Sequence, residues 1–422
     1  MVLTEYYTIM SIRKTLFSAL TLFLFLSCLS AQNTNSPYSR YGFGVLENPA
    51  LGKTRAMGGI GYGIRDKGLI NPLNPASYSS VDTLNFIFDF GVSTSRSVFK
   101  ENGLKQVNPN GKFDYVVMKV PLKKYWGMAF GLMPYSNVGY SISQTYNTGF
   151  GDVDYTRNYV GTGGLNTLFF GSGISLGQNL SLGANIKYVF GQIAYQGNVI
   201  YSNTIHNSYY ESETWTLGTP SIDLGLQYQK VFNKKNKAIF GASFSNASSF
   251  KMSDVSSIKI VPTNKDTTTS NMKYDFGLPN TVGIGASYTY DNRLTVGIDY
   301  QNQAWSKTAY KGVKDTLANN SRLSLGLEYA PALIPTSYLQ AVKYRCGMQY
   351  TDSYFKFADG TIKNIGVSVG FGLPLRGQKS ALNFAFEAGR LLLPNTSLIS
   401  ENYYKVSFDV SFNELWFFKR KL

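Results

Sequence analysis

The sequence predicts an all-β protein, a transmembrane antiparallel β-barrel. Three observations predict it: an export signal at the start, long runs in which apolar and polar residues alternate, and a composition rich in aromatics but poor in charge. The chain of 422 residues holds 31 Tyr, 28 Phe and 41 Gly against a single His, and 15% of it is charged. No run after the signal has the eighteen or so apolar residues that a membrane helix needs.

The export signal comes first. Ile12-Arg13-Lys14 forms a basic start, and Leu16 to Leu26 is an apolar run too short to span a bilayer as a helix. Leu29-Ser30-Ala31 then offers a small-residue cleavage site, so residues 1–31 read as a signal peptide. Cys28 follows Leu26-Ser27, as a lipid-attachment cysteine would, but Phe25 fits that site poorly. Once Cys28 leaves with the signal, Cys346 stands alone and no internal disulfide can form.

Alternation is the main structural signal. Leu84, Phe86, Phe88, Phe90 and Val92 interleave with Asn85, Ile87, Asp89, Gly91 and Ser93. Trp126, Met128, Phe130 and Leu132 alternate with Gly127, Ala129 and Gly131. The cleanest run sets Leu180, Leu182, Ala184, Ile186, Tyr188 and Phe190 against Ser181, Gly183, Asn185, Lys187, Val189 and Gly191. Several runs reach the roughly nine to eleven residues of a tilted membrane strand. Their second face carries Gly, Ser, Asn and isolated charges, as a watered or plugged lumen allows. Asp223, Asp299, Glu328 and Lys187 are the expected lumen charges, placed to solvate the interior or pin a plug.

Turns punctuate these runs. Val282 to Tyr290 runs into Asp291-Asn292 and Leu294 to Tyr300 runs back, which reads as a two-residue hairpin turn of the kind that tolerates positive φ. Gln178-Asn179 and Asn233 to Lys237 separate other pairs. The polar stretches Asn198 to Gly218 and Met252 to Met272 read as long loops on the opposite rim. Pro134 reads as a strand end rather than a bulge within a strand, because proline cannot donate to a ladder. A soluble β-sandwich also alternates, but strands this long, with aromatics at their ends and no linker, favour the barrel. The last run, Tyr404 to Phe412, leads into Trp416-Phe417-Phe418 at an interfacial girdle, and residues 419–422 form a short basic periplasmic tail.

Residues 32–80 break the pattern. They are rich in Gly, Pro and Asn, and contain Gly58-Gly59-Ile60-Gly61-Tyr62-Gly63 and Asn71-Pro72-Leu73-Asn74-Pro75-Ala76. Standing before a barrel (residues 81–418), such a loop-rich segment is a candidate lumen plug. The glycines do not match a dinucleotide fingerprint, whose spacing fails at Ile64. A net charge of +15 suits an anionic lipid surface, and export argues against nucleic acid. His206 is the only histidine, so neither a His-pair metal site nor a Ser-His-Asp triad without it is available, and it lies in a stretch read as a loop. No catalytic residue, metal site or cofactor is expected.

Arg55-Ala56-Met57-Gly58-Gly59, then Asp66, then Asn74-Pro75-Ala76 resembles the N-terminal hatch of the FadL family of outer-membrane transporters for hydrophobic compounds. Leu278-Pro279, the Asp291-Asn292 hairpin, and Asp299-Tyr300 through Trp305-Ser306 are similar to that family's late-barrel pattern, which Leu325 to Tyr329 and Tyr344 to Met348 continue. The resemblance implies fourteen strands closed around a hatch inside the lumen. Asn74, Pro75 and Ala76 would form the hatch motif, and Gly58, Gly59 and Asp66 would pack it. It further implies passive uptake of a hydrophobic solute that leaves sideways through a gap in the wall. Tyr38-Ser39-Arg40-Tyr41-Gly42 and the Trp416 to Lys421 ending look like envelope proteins of the Bacteroidota, some of which serve as non-transporting subunits or shuttles of secretion or assembly complexes. The expected partners are outer-membrane lipid and lipopolysaccharide, with hydrophobic small molecules or an envelope protein complex.

Overall fold

The computed structural model describes residues 36–83, 85–149, 153–202, 206–261, 265–375, 380–395 and 397–415. The expected signal peptide, the first residues of the expected plug, Leu84, the Trp416 to Phe418 cluster and the basic tail lie outside the described residues.

Fourteen antiparallel strands close into one barrel. They are β1 (Asn85–Glu101), β2 (Leu104–Lys123), β3 (Trp126–Asn147), β4 (Asp154–Leu176), β5 (Leu180–Tyr201) and β6 (Ser208–Val231). β7 comes in two segments, Asn236–Ser245 and Ser248–Val261, and β8 likewise, Lys265–Leu278 and Thr281–Tyr290. β9 (Leu294–Gln303), β10 (Asn320–Tyr329), β11 (Lys343–Phe357), β12 (Gly360–Pro374), β13 (Ala381–Leu392) and β14 (Ser400–Leu415) complete the wall. Each strand pairs with its sequence neighbours, and β14 pairs back onto β1 from Ser400 opposite Lys100 to Leu415 opposite Asn85. Closure leaves no sheet edge in the hydrocarbon region, where an unpaired backbone group has no water to bond.

The wall is apolar outside and polar inside. Cross-strand rows such as Phe170–Ile186–Ile222 and Ile298–Leu325–Met348 stand exposed on the outer face. On the opposite parity of the same strands, Asn185, Asp223, Asp299, Ser324 and Arg345 are buried. This inversion of a soluble fold is what a lipid-facing wall around a filled lumen requires. Together with the fold, the outer apolar belt places the protein in the outer membrane.

The two rims differ. Where β1 begins and β14 ends, the connections between strands are mostly short, and the turn after β8 spans Asp291, Asn292 and Arg293 with φ of 52° and 49° at the first two. The hairpin falls where the sequence put it, but with a three-residue loop, since Tyr290 pairs with Leu294. At the other rim, the stretches read as long loops are largely strand. β5 and β6 stay paired from Val199–Tyr209 downward, and the outer segments of β7 and β8 pair from Ile260–Lys265 to Ser248–Leu278. The outward face of these extensions lies beyond the belt and is polar, as at Gln192, Gln196 and Thr216, while their inward face keeps the buried Trp215, Leu217, Met252 and Phe276. Pro134 also corrects an expectation. It sits inside β3, at a register irregularity opposite β4 between Pro134 and Ser136, a bulge that absorbs the missing donor.

Candidate functional site

Residues 36–83 fill the lumen. Phe43, Ala56, Met57, Ile60, Ile70, Ala76 and Tyr78 are almost wholly buried, against walls contributed by opposite sides of the barrel. The 3-10 turn Gly52–Met57 packs on β10–β14, and a second turn, Pro75–Ser79, packs on β3–β6. Such a segment has little regular backbone of its own, so its amides and carbonyls must find partners on the wall.

Asn74 shows how. Its side-chain oxygen accepts the Ala76 amide at 3.2 Å and so caps the Pro75–Ser79 turn. Its amide nitrogen donates to the carbonyls of Tyr62 at 3.0 Å, Leu226 at 3.0 Å and Ala242 at 3.3 Å, the last two on β6 and β7. Pro75 and Ala76 lie against Gly183 of β5, where any Cβ would collide with them. Across the lumen, Gly58 ends the Gly52–Met57 turn with φ of 65°, donates its amide to Ser368 Oγ at 3.0 Å, and nests on Gly347 of β11. Gly59, with φ of 77°, returns its amide to Thr54. Asn74, Pro75, Ala76 and Gly58 thus meet the wall at separate places, whereas Gly59 bonds within the segment and Asp66 pairs with Lys53 of the same segment, so the six do not make one site.

Charge fixes the plug further. Lys53 Nζ lies 2.6 Å from Asp66 and 3.5 Å from Glu328 of β10, and Arg345 Nε donates to Glu328 at 2.7 Å. Burial alone would favour a neutral Lys53, but Asp66 and Glu328 outweigh it and raise its pKa. The Lys53 ammonium in turn holds the Asp66 carboxyl well below the ordinary range. Arg55 pairs with Asp114 of β2 and stacks over Tyr115 at 5.0 Å, while Tyr115 Oη donates to Asp409 at 2.7 Å and accepts the Gly52 amide at 2.9 Å. Lys119 of β2 reaches the carbonyls of Lys67, Leu69 and Ser80. Of the lumen charges expected from sequence, Asp299 and Glu328 hold the plug, and Lys187 and Asp223 pair with each other at 2.5 Å. Tyr115, Lys119 and Asp409 were missed, although each lies on the polar parity of its strand, and Arg55, noted only within the hatch resemblance, was not read as the ion-pair partner of Asp114.

The void beside the plug has a mixed lining. A cavity of about 220 Å³ is bounded by Glu47, Lys187, Asp223 and Arg322 and also by Leu73, Met133, Phe169 and Leu278. Above it, aromatic groups close the outer mouth. Phe43 of the plug packs against Phe276, Trp305 and Tyr310, and Trp305 belongs to the connection after β9, which folds inward.

The wall itself is split at one place. β2 and β3 pair from Lys123–Trp126 up to Val116–Leu132, and among the described residues no ladder pair joins them beyond it. The outer half of β2 pairs only with β1, and that of β3 with β4. Part of the vacated edge is taken by the plug: its two-residue strand Val45–Leu46 pairs with Asn137 and Ser136, and the Glu47 amide donates to the Tyr135 carbonyl. Farther out, the split opens into a cavity of about 810 Å³ between Leu104–Pro109 and Val138–Gln144. The split starts level with the row Leu132–Leu168–Tyr188, near the upper edge of the belt, where Phe190 still follows Tyr188 and the outward residues around and above it include Asn166, Gln192 and Thr216. His206, at the tip of the β5–β6 connection, stacks on Tyr201 at 5.1 Å.

A plugged fourteen-strand barrel with this connectivity is the FadL-type outer-membrane fold, and solved structures agree. The chain is similar to the CymD monoaromatic hydrocarbon channel (14% identity, TM-score 0.56, covering 88% of this chain and 99% of that one). It is similar to a Pseudomonas aeruginosa FadL homologue (12%, 0.58, 87% and 98%) and to the Pseudomonas putida toluene transporter TodX (14%, 0.56, 88% and 99%). No curated protein matches the chain. The BamG family model matches residues 11–422, and the chain belongs to the BamG family.

Proposed function

We propose that this barrel is a non-conducting subunit of an outer-membrane protein complex, its lumen sealed and its outer surface and rims used for docking. The observation that carries the reading is the character of the lumen. The plug is tied to the wall by ion pairs and by backbone contacts too close for a Cβ, and the cavity beside it has Glu47, Lys187, Asp223 and Arg322 in its lining. An apolar solute passing through the lumen would have to displace a plug seated by these contacts and desolvate the four ionisable side chains beside it. The BamG family name points in the same direction, toward an envelope complex.

A second reading, passive uptake of hydrophobic compounds through a hatch-gated barrel, is favoured by the β2–β3 split. The Val45–Leu46 strand bridges part of that split, so a local movement of the plug would widen it without emptying the lumen. Two of the named structural relatives are described as hydrocarbon or toluene carriers.

Purification from native membranes in mild detergent, paired with uptake assays on a deletion strain, separates the two. The subunit reading expects partners in fixed stoichiometry and unchanged uptake of toluene and long-chain fatty acid. An isolated monomer, with uptake lost on deletion, would overturn it in favour of the channel.

A further inference from the structure

The β10–β11 connection, residues 330–342, stands apart from the other connections on its rim. Those linking β2–β3, β4–β5, β6–β7 and β8–β9 are tight turns, three of which carry Lys124, Lys234, Lys235 and Arg293. This one is long and has no charged residue from Ala330 to Val342. It nevertheless exposes Leu333 by 58%, Ile334 by 86%, Tyr338 by 52% and Leu339 by 71%. Isolated exposed apolar residues are ordinary, but a cluster of four on one rigid loop marks a contact surface.

The loop is held in shape. Arg293 donates through Nε to the Ala330 carbonyl at 3.4 Å, bonds the Pro331 carbonyl, and lies over the Tyr329 ring at 5.9 Å. Pro331 and Pro335 flank Leu333 and Ile334, and Gln340 accepts both the amide and the hydroxyl of Thr336, which closes a short helical turn at Tyr338–Ala341. A presentation fixed beforehand loses less entropy on docking.

Position decides between lipid and protein. The loop closes the cross-strand pair Tyr329–Tyr344, two exposed tyrosines at the end of the apolar belt. Such tyrosines form the interfacial girdle, so residues beyond them lie on the water side. This rim holds the start of β1 and the end of β14 and mostly short turns, and is therefore periplasmic. A row of cations adjoins the loop: Lys234 and Lys235, joined to the next turn by the Asp291 amide on the Lys235 carbonyl, then Arg293, then Lys343. We infer that residues 330–342 are the docking element for a periplasmic protein domain that offers an apolar cleft for Ile334 and Leu339, edged by carboxylates facing this basic row. The inference rests on the subunit reading and assigns its contact.

The test places the photocrosslinker p-benzoylphenylalanine at position 334 or 339 of the full chain in living cells, with position 284 on the lipid belt as control. It is paired with purification of an Ile334→Asp/Leu339→Asp variant and of a Lys234→Gln/Lys235→Gln variant. We expect adducts from 334 and 339, and not from 284, with a single periplasmic protein that also co-purifies stoichiometrically with the wild type. The apolar variant should recover that protein at least about tenfold less, the loss expected when a central apolar anchor is removed. The lysine variant should recover less of it and show a weaker response to salt. Unchanged heat-dependent gel mobility shows that both barrels still fold. Adducts with lipid alone, or full recovery by the apolar variant, overturn the docking assignment while leaving the subunit reading in place. A wild type that brings down no partner at all overturns both.

Discussion

The Asp299 carboxylate of β9 holds the plug by its backbone: one oxygen accepts the amide of Tyr62 at 2.8 Å and that of its neighbour Gly61 at 2.5 Å. The two donors belong to a glycine-rich bend that has no other way to satisfy them inside the lumen. Asp299→Ala leaves both amides buried without a partner, which costs about 1–3 kcal/mol for each group so stranded. Limited proteolysis in detergent should then cut between residues 58 and 72, where the wild type resists. Asp299→Asn keeps an acceptor oxygen and should fall between the two. Equal resistance in all three proteins would show that the clamp does not hold the plug.

Close packing, and not charge alone, seats the plug. A Cβ on Gly347 would meet the Gly58 backbone, and one on Gly183 would meet Pro75 and Ala76, whereas a Cβ on Gly111 of β2 has nothing near it. Gly347→Ala and Gly183→Ala should each lower the unfolding temperature in detergent, by an overpacking cost of about 1–3 kcal/mol. Gly111→Ala should be neutral. A uniform response would mean that the plug yields freely.

Acid should loosen one anchor within a definite window. Lys53 lowers the pKa of Asp66, so this pairing contributes fully above the ordinary Asp pKa of about 4 and fades as pH falls below it. Lys53, whose pKa is raised, stays charged throughout that range. The contribution of this pair to the protease resistance of residues 52–68, read as the difference between wild type and Lys53→Met, should therefore be flat between about pH 5 and pH 8 and shrink only in stronger acid. Asp66 is over a third exposed, so the loss should be modest. Lys53→Met should abolish the acid-dependent step, and a step that persists would assign it to another group.

These anchors also show where sequence was informative. Leu180 to Gly191 alternates cleanly because one face of β5 meets lipid and the other meets the plug, and the structure keeps that parity, with Ile186 outside and Asn185 inside. The outer arms of β5 to β8 were misread as loops because above the belt the outward face meets water. Gln192, Gln196 and Thr216 therefore look like loop residues although their backbones are fully paired. Lys119 was passed over for a different reason. A charge on the polar parity of a strand carries no mark of its partner, and the carbonyl cage around Lys119 is built by residues 39 to 52 positions away in the chain.

Asn74 was legible as a motif residue, and its geometry gives a number. Asn74→Ala removes the cap on Pro75–Ser79 and three donations to carbonyls. Loss of an Asn cap costs about 0.5–2 kcal/mol. Asn74→Asp restores the capping acceptor but cannot donate, so thermal unfolding should rank wild type above Asp, and Asp above Ala. If Asp matched wild type, the donations to Leu226 and Ala242 would be energetically silent.

The β2–β3 split makes a prediction that bears on function. Strand amides bonded on both edges exchange slowly, because opening them requires breaking the sheet. On β3 the stretch 138–147 has a ladder partner on the β4 side, and beyond Asn137 none on the β2 side among the described residues. Alternate amides in 141–147, beyond Gly139 whose amide donates to Ser39 Oγ at 3.0 Å, should therefore exchange faster with deuterium than those in 126–132, and than those of β5, which is paired on both sides along most of its length. Deleting residues 37–46 should extend fast exchange down to Ser136 and Asn137, which the Val45–Leu46 strand now covers. If toluene or a long-chain fatty acid then slowed exchange on both lips of the split, the solute would be lodged there, and the channel reading would gain over the subunit reading. If neither changed it while a co-purified partner did, the split would be a seam for assembly and not an exit.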